Sequence, residues 1–461
     1  MAHLSDFAAN PCGVRHCPPG RQGRLSDAPG ARSIIESVTD LATRVAVARP
    51  TALRRAAPAL LGYAAVRALG LVALAVWSAA RGKSAYTLLT ARWDSLWYAR
   101  VAGGGYGYEV RLPNGDVHSD LAFFPLLPWL ERLLASVGPL SYADAGFVVS
   151  LLTSLAAAWG IFAVVDHVYG RKEEGAKHGL GRAVAGDGRA GMWAVLLWAV
   201  LPVGIVQSMA YSESLFTALA AWSLYCVLTG RWVTAGGLAL LAGLTRPVGL
   251  AVVAAVWAAA VTTFVCNRST SVRNRSTTAA NGAQQAAHAP AVPGHAPSRL
   301  LLGMLLAPLG AAGYVLWVGH RTGGGVLGYL DVQAGWRNGF DGGYAFARFV
   351  ADKFTSFPSA LAGLGLIIGV AAVIWLYVIG VRQGQPLPLL VYSGVVTALA
   401  LCASSYFGSK PRLLLPAFPL LLPLALALAR ARASRSALVV GAVAVASALY
   451  GAFWLNGSGP P

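Results

Sequence analysis

Four short polar groups stand out in an otherwise apolar chain. The first is Arg92-Trp93-Asp94-Ser95-Leu96-Trp97-Tyr98. An acid between two tryptophans near a bilayer surface is partly desolvated, which makes its carboxylate a better general base. The same residues also fit an aromatic belt with one solvated acid. The second is Tyr211-Ser212-Glu213-Ser214, where Glu213 is the only acid between Asp187 and Asp331. A plain turn with a helix cap is its other reading. The third is Thr245-Arg246-Pro247-Val248-Gly249. An arginine within a span costs roughly 2.5–3.5 kcal/mol, so Arg246 needs an acid such as Glu213 or Asp94, or an anionic ligand. The fourth is Ser409-Lys410-Pro411-Arg412, whose two bases either hold a phosphate or snorkel to the interface. Together these groups suit a lipid-phosphate substrate. The cations neutralise the phosphate, a carboxylate activates an incoming hydroxyl, and Arg92, Trp93, Tyr98 and Tyr211 are expected to line the same site.

The elements that must position these residues are membrane helices. Of 461 residues, 56% are hydrophobic and 12% charged, against about 25% charged in soluble domains. That excludes a soluble globular enzyme, a disordered chain and a fibrous one. The fold expected is an all-α polytopic membrane protein with about eleven spans. Apolar runs lie at 57–80, 146–168, 190–209, 212–229, 232–245, 247–266, 300–319, 357–380, 387–405, 413–429 and 437–455. The stretch from Trp232 to Cys266 also reads as one long broken helix. Leu121–Leu134, with Pro125 and Pro128, is too short to span and reads as interfacial or re-entrant.

The net charge of +18 divides by topology. Residues 1–56 carry eight arginines and four acids, and loops 169–189, 267–299 and 430–436 are also basic. Loop 81–145 carries six bases and six acids, and loop 320–356 four and three. The positive-inside rule then puts the N-terminus in the cytoplasm and the long first loop, with all four polar groups, outside. The excess charge orients the bundle, and no nucleic-acid partner is expected. The organisation expected is a disordered cytoplasmic tail over 1–56 and an N-terminal catalytic module over 57–266. A flexible linker over 267–299 and a C-terminal module over 300–461 follow. Cys12 and Cys17, with His16, lack a second ligand pair at zinc spacing. Asp116, His118 and Asp120 read as solvated loop residues, with an ion site as their other reading. No metal site and no cofactor is therefore expected.

The sequence resembles the PIG-V-like family of mannosyltransferases, within the GT-C superfamily of integral membrane glycosyltransferases. The residues that carry the resemblance are Trp93-Asp94 with Tyr98, Gly105-Tyr106, Phe123-Phe124-Pro125-Leu126-Leu127-Pro128, Pro202, Tyr211-Ser212-Glu213-Ser214-Leu215-Phe216 and Arg246-Pro247-Val248-Gly249. They occur in the family's order and cover roughly 60 to 250. The resemblance implies a GT-C-like bundle whose long first extracytoplasmic loop carries the catalytic base, here Asp94. It implies transfer of a sugar, usually mannose, from a polyprenyl-phosphate carrier to an acceptor hydroxyl, with inversion. By chemistry, Arg246 would hold the carrier phosphate, and Glu213 would orient the acceptor or pair with Arg246. The leaving group is already a phosphate ester, so a divalent metal is not strictly required. Arg92 stands where family members often have histidine, and Arg111–Asp120 is a loop extension. The Arg-, Ala- and Gly-rich composition fits a GC-rich bacterial genome and hence a plasma-membrane enzyme. Its partners would be membrane lipids, a polyprenyl-phosphate-linked donor, and a lipid, glycan or protein acceptor. A transporter or flippase, and a non-catalytic subunit that keeps the fold, are the competing readings.

Overall fold

The computed structural model describes residues 52–170, 188–280, 297–404, 406–457 and 459. The fold is almost entirely helical, with two short antiparallel ribbons. The chain divides into two compact units. The described residues of the first, 52–55 and 262–280, are helical. The second unit, Ala56–Val261 with His295–Pro461, contains all the side chains considered below.

Among the described residues six helices are long and apolar enough to cross a membrane: Ala52–Ala80, Tyr142–Tyr169, Pro247–Arg268, Pro297–Thr322, Ser359–Arg382 and Ala433–Leu455. Phe407–Leu414 and Phe418–Arg430 form a pair bent by 75° that makes a seventh if counted as one span. Ser212–Leu228, Trp232–Gly243 and Leu387–Cys402 are apolar but shorter. The expectation of about eleven spans is therefore not met by length. The reason is local: apolar runs are cut by helix breakers that hydropathy averages over. The run at 190–209 stops at Ala199 before Pro202, then makes a 3-10 turn over Gly204–Ser208. Trp232–Gly243 has 12 residues and rises about 18 Å, short of the ~30 Å hydrocarbon core. The chain from Trp232 to Cys266 is two helices. The first ends at Gly243, and after Arg246 a 3-10 turn over Pro247–Gly249 leads into Leu250–Ala280. That last helix continues to Ala280, into the stretch read as a linker, and the next begins at Pro297. Most of the expected tail, 1–51, lies outside the described residues, as do Cys12 and Cys17.

Small residues bring these helices together, as apolar surroundings favour. A Cβ on Gly236 would overlap the Gly303 carbonyl, and one on Gly310 the Leu240 carbonyl. The break after Ala199 is sealed by a buried arginine that sequence reasoning did not single out. Arg67, inside Ala52–Ala80, donates to the carbonyls of Ala199 and Gly204. Tyr63 stacks on Trp198 and donates to Gln207 Oε1 at 3.0 Å, and Gln207 Nε2 donates to Trp198 O at 2.8 Å. Carbonyls freed by the broken helix thus find donors inside the bundle, as they must without water.

The first loop is built from a helix over Asp94–Gly104, a ribbon pairing Glu109–Arg111 with Val117–Ser119, and a helix over Leu126–Ser136. The last, at 11 residues, is too short to cross and exposes Trp129 and Leu133, as expected of an interfacial segment. Asp120 departs from the solvated reading. It is fully buried and accepts from the backbone N–H groups of Gly107 and Tyr108 at 2.9–3.1 Å. Asp116 pairs with Arg337 at 2.5 Å, and His118 stacks on Trp336. Trp336 Nε1 also donates to Ser119 O, and Arg321 to Tyr106 O, so loop 320–356 clasps the first loop.

Glu131, on Leu126–Ser136, is buried, and its Oε2 has no hydrogen-bond partner among the described residues. Burial pushes this carboxyl well above the usual carboxylate range. In the unfolded chain it ionises near pH ~4.3. Above that pH the unfolded state binds fewer protons than the folded one, so stability falls as pH rises. The difference in melting temperature between Glu131→Gln and the wild-type chain in detergent is therefore expected to shift in the variant's favour from pH 4 to pH 8. A difference that does not change with pH would contradict this.

Candidate active site

Asp94 is placed by an unusual turn. Trp93 takes φ 51° and ψ −121°, values that favour glycine. Such a conformation costs of order 1–3 kcal/mol and persists only when its surroundings impose it. Ser95 supplies part of that restraint: its Oγ accepts from the Arg92 N–H at 3.0 Å and donates to Arg92 O at 2.7 Å. Arg92 stacks on Trp93 at 4.0 Å and donates to Leu455 O and Gly457 O. The turn makes Asp94 the first residue of its helix, where the backbone dipole favours a carboxylate.

Glu213 lies in the first turn of Ser212–Leu228. The residue before that helix, Tyr211, is fixed through its backbone. Its N–H donates to Ser150 Oγ at 3.2 Å, and its carbonyl accepts from the same hydroxyl at 2.9 Å. Ser212 Oγ lies 2.8 Å from the Tyr98 hydroxyl, which ties the first-loop helix to this turn. Arg246 enters from the break between Trp232–Gly243 and Leu250–Ala280 and pairs with Glu213 Oε1. Arg412 enters from the short helix Lys410–Leu414 and joins the two acids. Its NH2 nitrogen donates to Asp94 Oδ2 at 2.7 Å, and its Nε lies 3.0 Å from Glu213 Oε1. The second contact lacks hydrogen-bond alignment and is purely electrostatic. The order is Asp94, Arg412, Glu213, Arg246, with alternating sign. Side-chain exposure falls inward: 27% for Asp94, 10–13% for the arginines and 1% for Glu213.

The structure thus brings together Asp94, Tyr98, Tyr211, Glu213, Arg246 and Arg412. It gives other protein partners to Arg92 and Lys410. Arg92 is committed to the two C-terminal carbonyls. Lys410 donates to Ala400 O and Ala403 O at 2.8 and 2.7 Å and lies over the rings of Phe346 and Phe407. Arg412 comes from the stretch read as a separate C-terminal module, so the charged group is assembled from both halves. One turn beyond Asp94, Trp97 stacks on Phe123 and meets Trp336 edge-on. Trp97 and Phe123 belong to segments singled out from sequence, whereas Trp336, from loop 320–356, was not. Among the described residues no group of three His, Cys, Asp or Glu forms a metal cluster.

No family model matches the chain, and no curated protein matches it. Among solved structures, it is similar to the archaeal oligosaccharyltransferase AglB from Archaeoglobus fulgidus in complex with an inhibitory peptide and a dolichol-phosphate. Identity is 12% and the TM-score 0.41, over 87% of this chain and 56% of that one. A crystal structure of the Archaeoglobus fulgidus oligosaccharyltransferase with Zn and sulfate gives 14% identity and a TM-score of 0.41, over 86% and 53%. The chain spans little more than half the length of these structures. At that level of likeness neither neighbour's chemistry transfers to it.

Removing the inner carboxylate takes from Arg246 the acid it pairs with and leaves Arg412 with Asp94 alone, in a buried setting. Glu213→Ala is expected to lower unfolding free energy by about 3–5 kcal/mol. Asp94→Ala removes a carboxylate that is 27% exposed and is expected to cost clearly less. Melting of both variants in one detergent checks the order, and equal losses would contradict a network centred on Glu213.

Proposed function

We propose that this chain is a multi-pass membrane glycosyltransferase. In this reading it moves a sugar from a polyprenyl-phosphate carrier to an acceptor hydroxyl, with inversion. Mannose is the sugar by the PIG-V-like resemblance of the motifs. The site faces the extracytoplasmic side of the plasma membrane, and the N-terminus is cytoplasmic by the charge bias of the loops.

The observation that carries the reading is the alternating row Asp94, Arg412, Glu213, Arg246, with its only substantially exposed carboxylate at the outer end. Two guanidiniums held by one buried acid form a pre-organised anion site, and planar donors suit phosphate oxygens. Asp94 takes the proton from the acceptor hydroxyl. The acceptor oxygen bonds to the anomeric carbon as the bond from that carbon to the phosphate oxygen breaks. The electron pair leaves with the carrier phosphate, whose charge the two arginines balance. Arg412 exchanges the Asp94 carboxylate for the phosphate in this scheme, which frees the base once the donor is bound. Glu213 holds both arginines in place and contacts neither reacting group. A transporter reading calls for unpaired charges along a pathway through the bundle. Asp94, Arg412, Glu213 and Arg246 are instead paired with one another in a single row.

The test is Asp94→Asn in a membrane assay with a polyprenyl-phosphate sugar. Loss of a general base is expected to lower transfer by about 10²–10⁴-fold, while membrane insertion and melting temperature stay close to wild type. Transfer near the wild-type rate would remove Asp94 from its role.

A further inference from the structure

Tyr211 stands at the centre of the charged group but has no assigned chemistry. Its ring lies under Arg412, with the guanidinium carbon 5.0 Å from the ring centroid. Its side chain is buried, and its hydroxyl makes no hydrogen bond of full geometry among the described residues; the Asp94 backbone N–H beside it can only donate to its oxygen, which leaves the hydroxyl proton without an acceptor. The Tyr98 hydroxyl, equally enclosed, is satisfied by Ser212 Oγ at 2.8 Å. The Tyr211 hydroxyl is not, although Asp94, Arg412 and Glu213 are all close enough to act on it electrostatically. Burial raises it well above its usual value, so it stays protonated and able to donate.

An unsatisfied buried hydroxyl is unfavourable, and native structures retain one only where something else requires it. Packing does not require this one. The position of Tyr211 is set by its backbone, through Ser150 on both N–H and carbonyl, and by the contact of its ring with Arg412. A phenylalanine would keep all three restraints. We propose that the Tyr211 hydroxyl is a hydrogen-bond donor to the phosphate of the lipid carrier held by Arg246 and Arg412. The inference rests on the reading of those arginines as a phosphate site. It adds a neutral, oriented donor to two charged ones. The hydroxyl remains unpaired until a phosphate draws Arg412 away from Asp94 and supplies the missing acceptor.

Among the described residues the Tyr211 hydroxyl proton has no acceptor. A hydroxyl that stabilises only the bound state can be removed without weakening the fold. Binding of farnesyl monophosphate, with farnesol as the uncharged control, is measured on the full-length chain in detergent for wild type and Tyr211→Phe, beside the melting temperature of each without ligand. The expected result is about a tenfold loss of phosphate affinity, ~1.4 kcal/mol, with an unchanged or slightly raised melting temperature. Equal affinity in the two proteins would overturn the proposal. A fall in the melting temperature of the variant would overturn it too, because the hydroxyl would then serve the fold. If wild type does not prefer the phosphate over the alcohol, the phosphate-site reading itself falls and the inference falls with it.

Discussion

A carboxylate buried in an apolar bundle must be neutralised by charges brought to it, and Glu213 is that carboxylate. At 1% exposure it cannot be solvated by water. The chain supplies two arginines from segments far apart in sequence, Arg246 and Arg412. Meeting that requirement fixes the start of Ser212–Leu228 against the break that carries Arg246 and against the bent segment that carries Arg412. Because Arg412 has donors to spare, it also reaches Asp94, which draws the first-loop helix into the same arrangement. One buried acid thus sets the relative position of four segments at one end of the bundle.

The breaks in the helices serve this end. A continuous span offers few ways to present charge at its terminus. A span interrupted at Pro202, at Arg246-Pro247 or at Pro416 leaves backbone groups and side chains free at a chosen depth. Each interruption is then satisfied from elsewhere. Arg67 covers the carbonyls left by the first. The carbonyl of Leu244, just before the second, accepts from the Leu126 N–H of the first loop at 3.0 Å. The Tyr392 hydroxyl covers the Pro416 carbonyl. One of these bonds links the first loop to a helix break, and the charged side chains act on that frame.

The class of fold was legible from the low charged fraction, and the members of the site from the cost of charge in an apolar chain. Asp94, Glu213, Arg246 and Arg412 attracted notice for that reason, and the pairing of Glu213 with Arg246 was among the alternatives raised. Pair identities across the chain were not legible. Arg412 meets Asp94 across 318 positions, a distance no local pattern encodes. Lys410 and Arg412 look equivalent in sequence, but a two-residue offset on a helix turns them to different surroundings. Lys410 faces the carbonyls at the end of Leu387–Cys402, and Arg412 faces the acids. Arg67 and Glu131 passed unremarked because one lies inside an apolar run and the other counts as an ordinary loop acid. Among the described residues six or seven helices reach spanning length, fewer than the apolar runs, because a hydropathy window cannot separate a crossing helix from a short helix followed by a turn.

In the proposed function this group of charges cleaves a carrier–sugar bond. The most direct measurement is single-turnover reaction of the purified full-length chain, reconstituted in liposomes, with a polyprenyl-phosphate sugar labelled in both sugar and lipid. The account predicts that labelled sugar appears on an acceptor hydroxyl with inverted anomeric configuration, while the lipid label is recovered as polyprenyl monophosphate. Intact donor lipid moved from one leaflet to the other, with no sugar released from its phosphate, would contradict it.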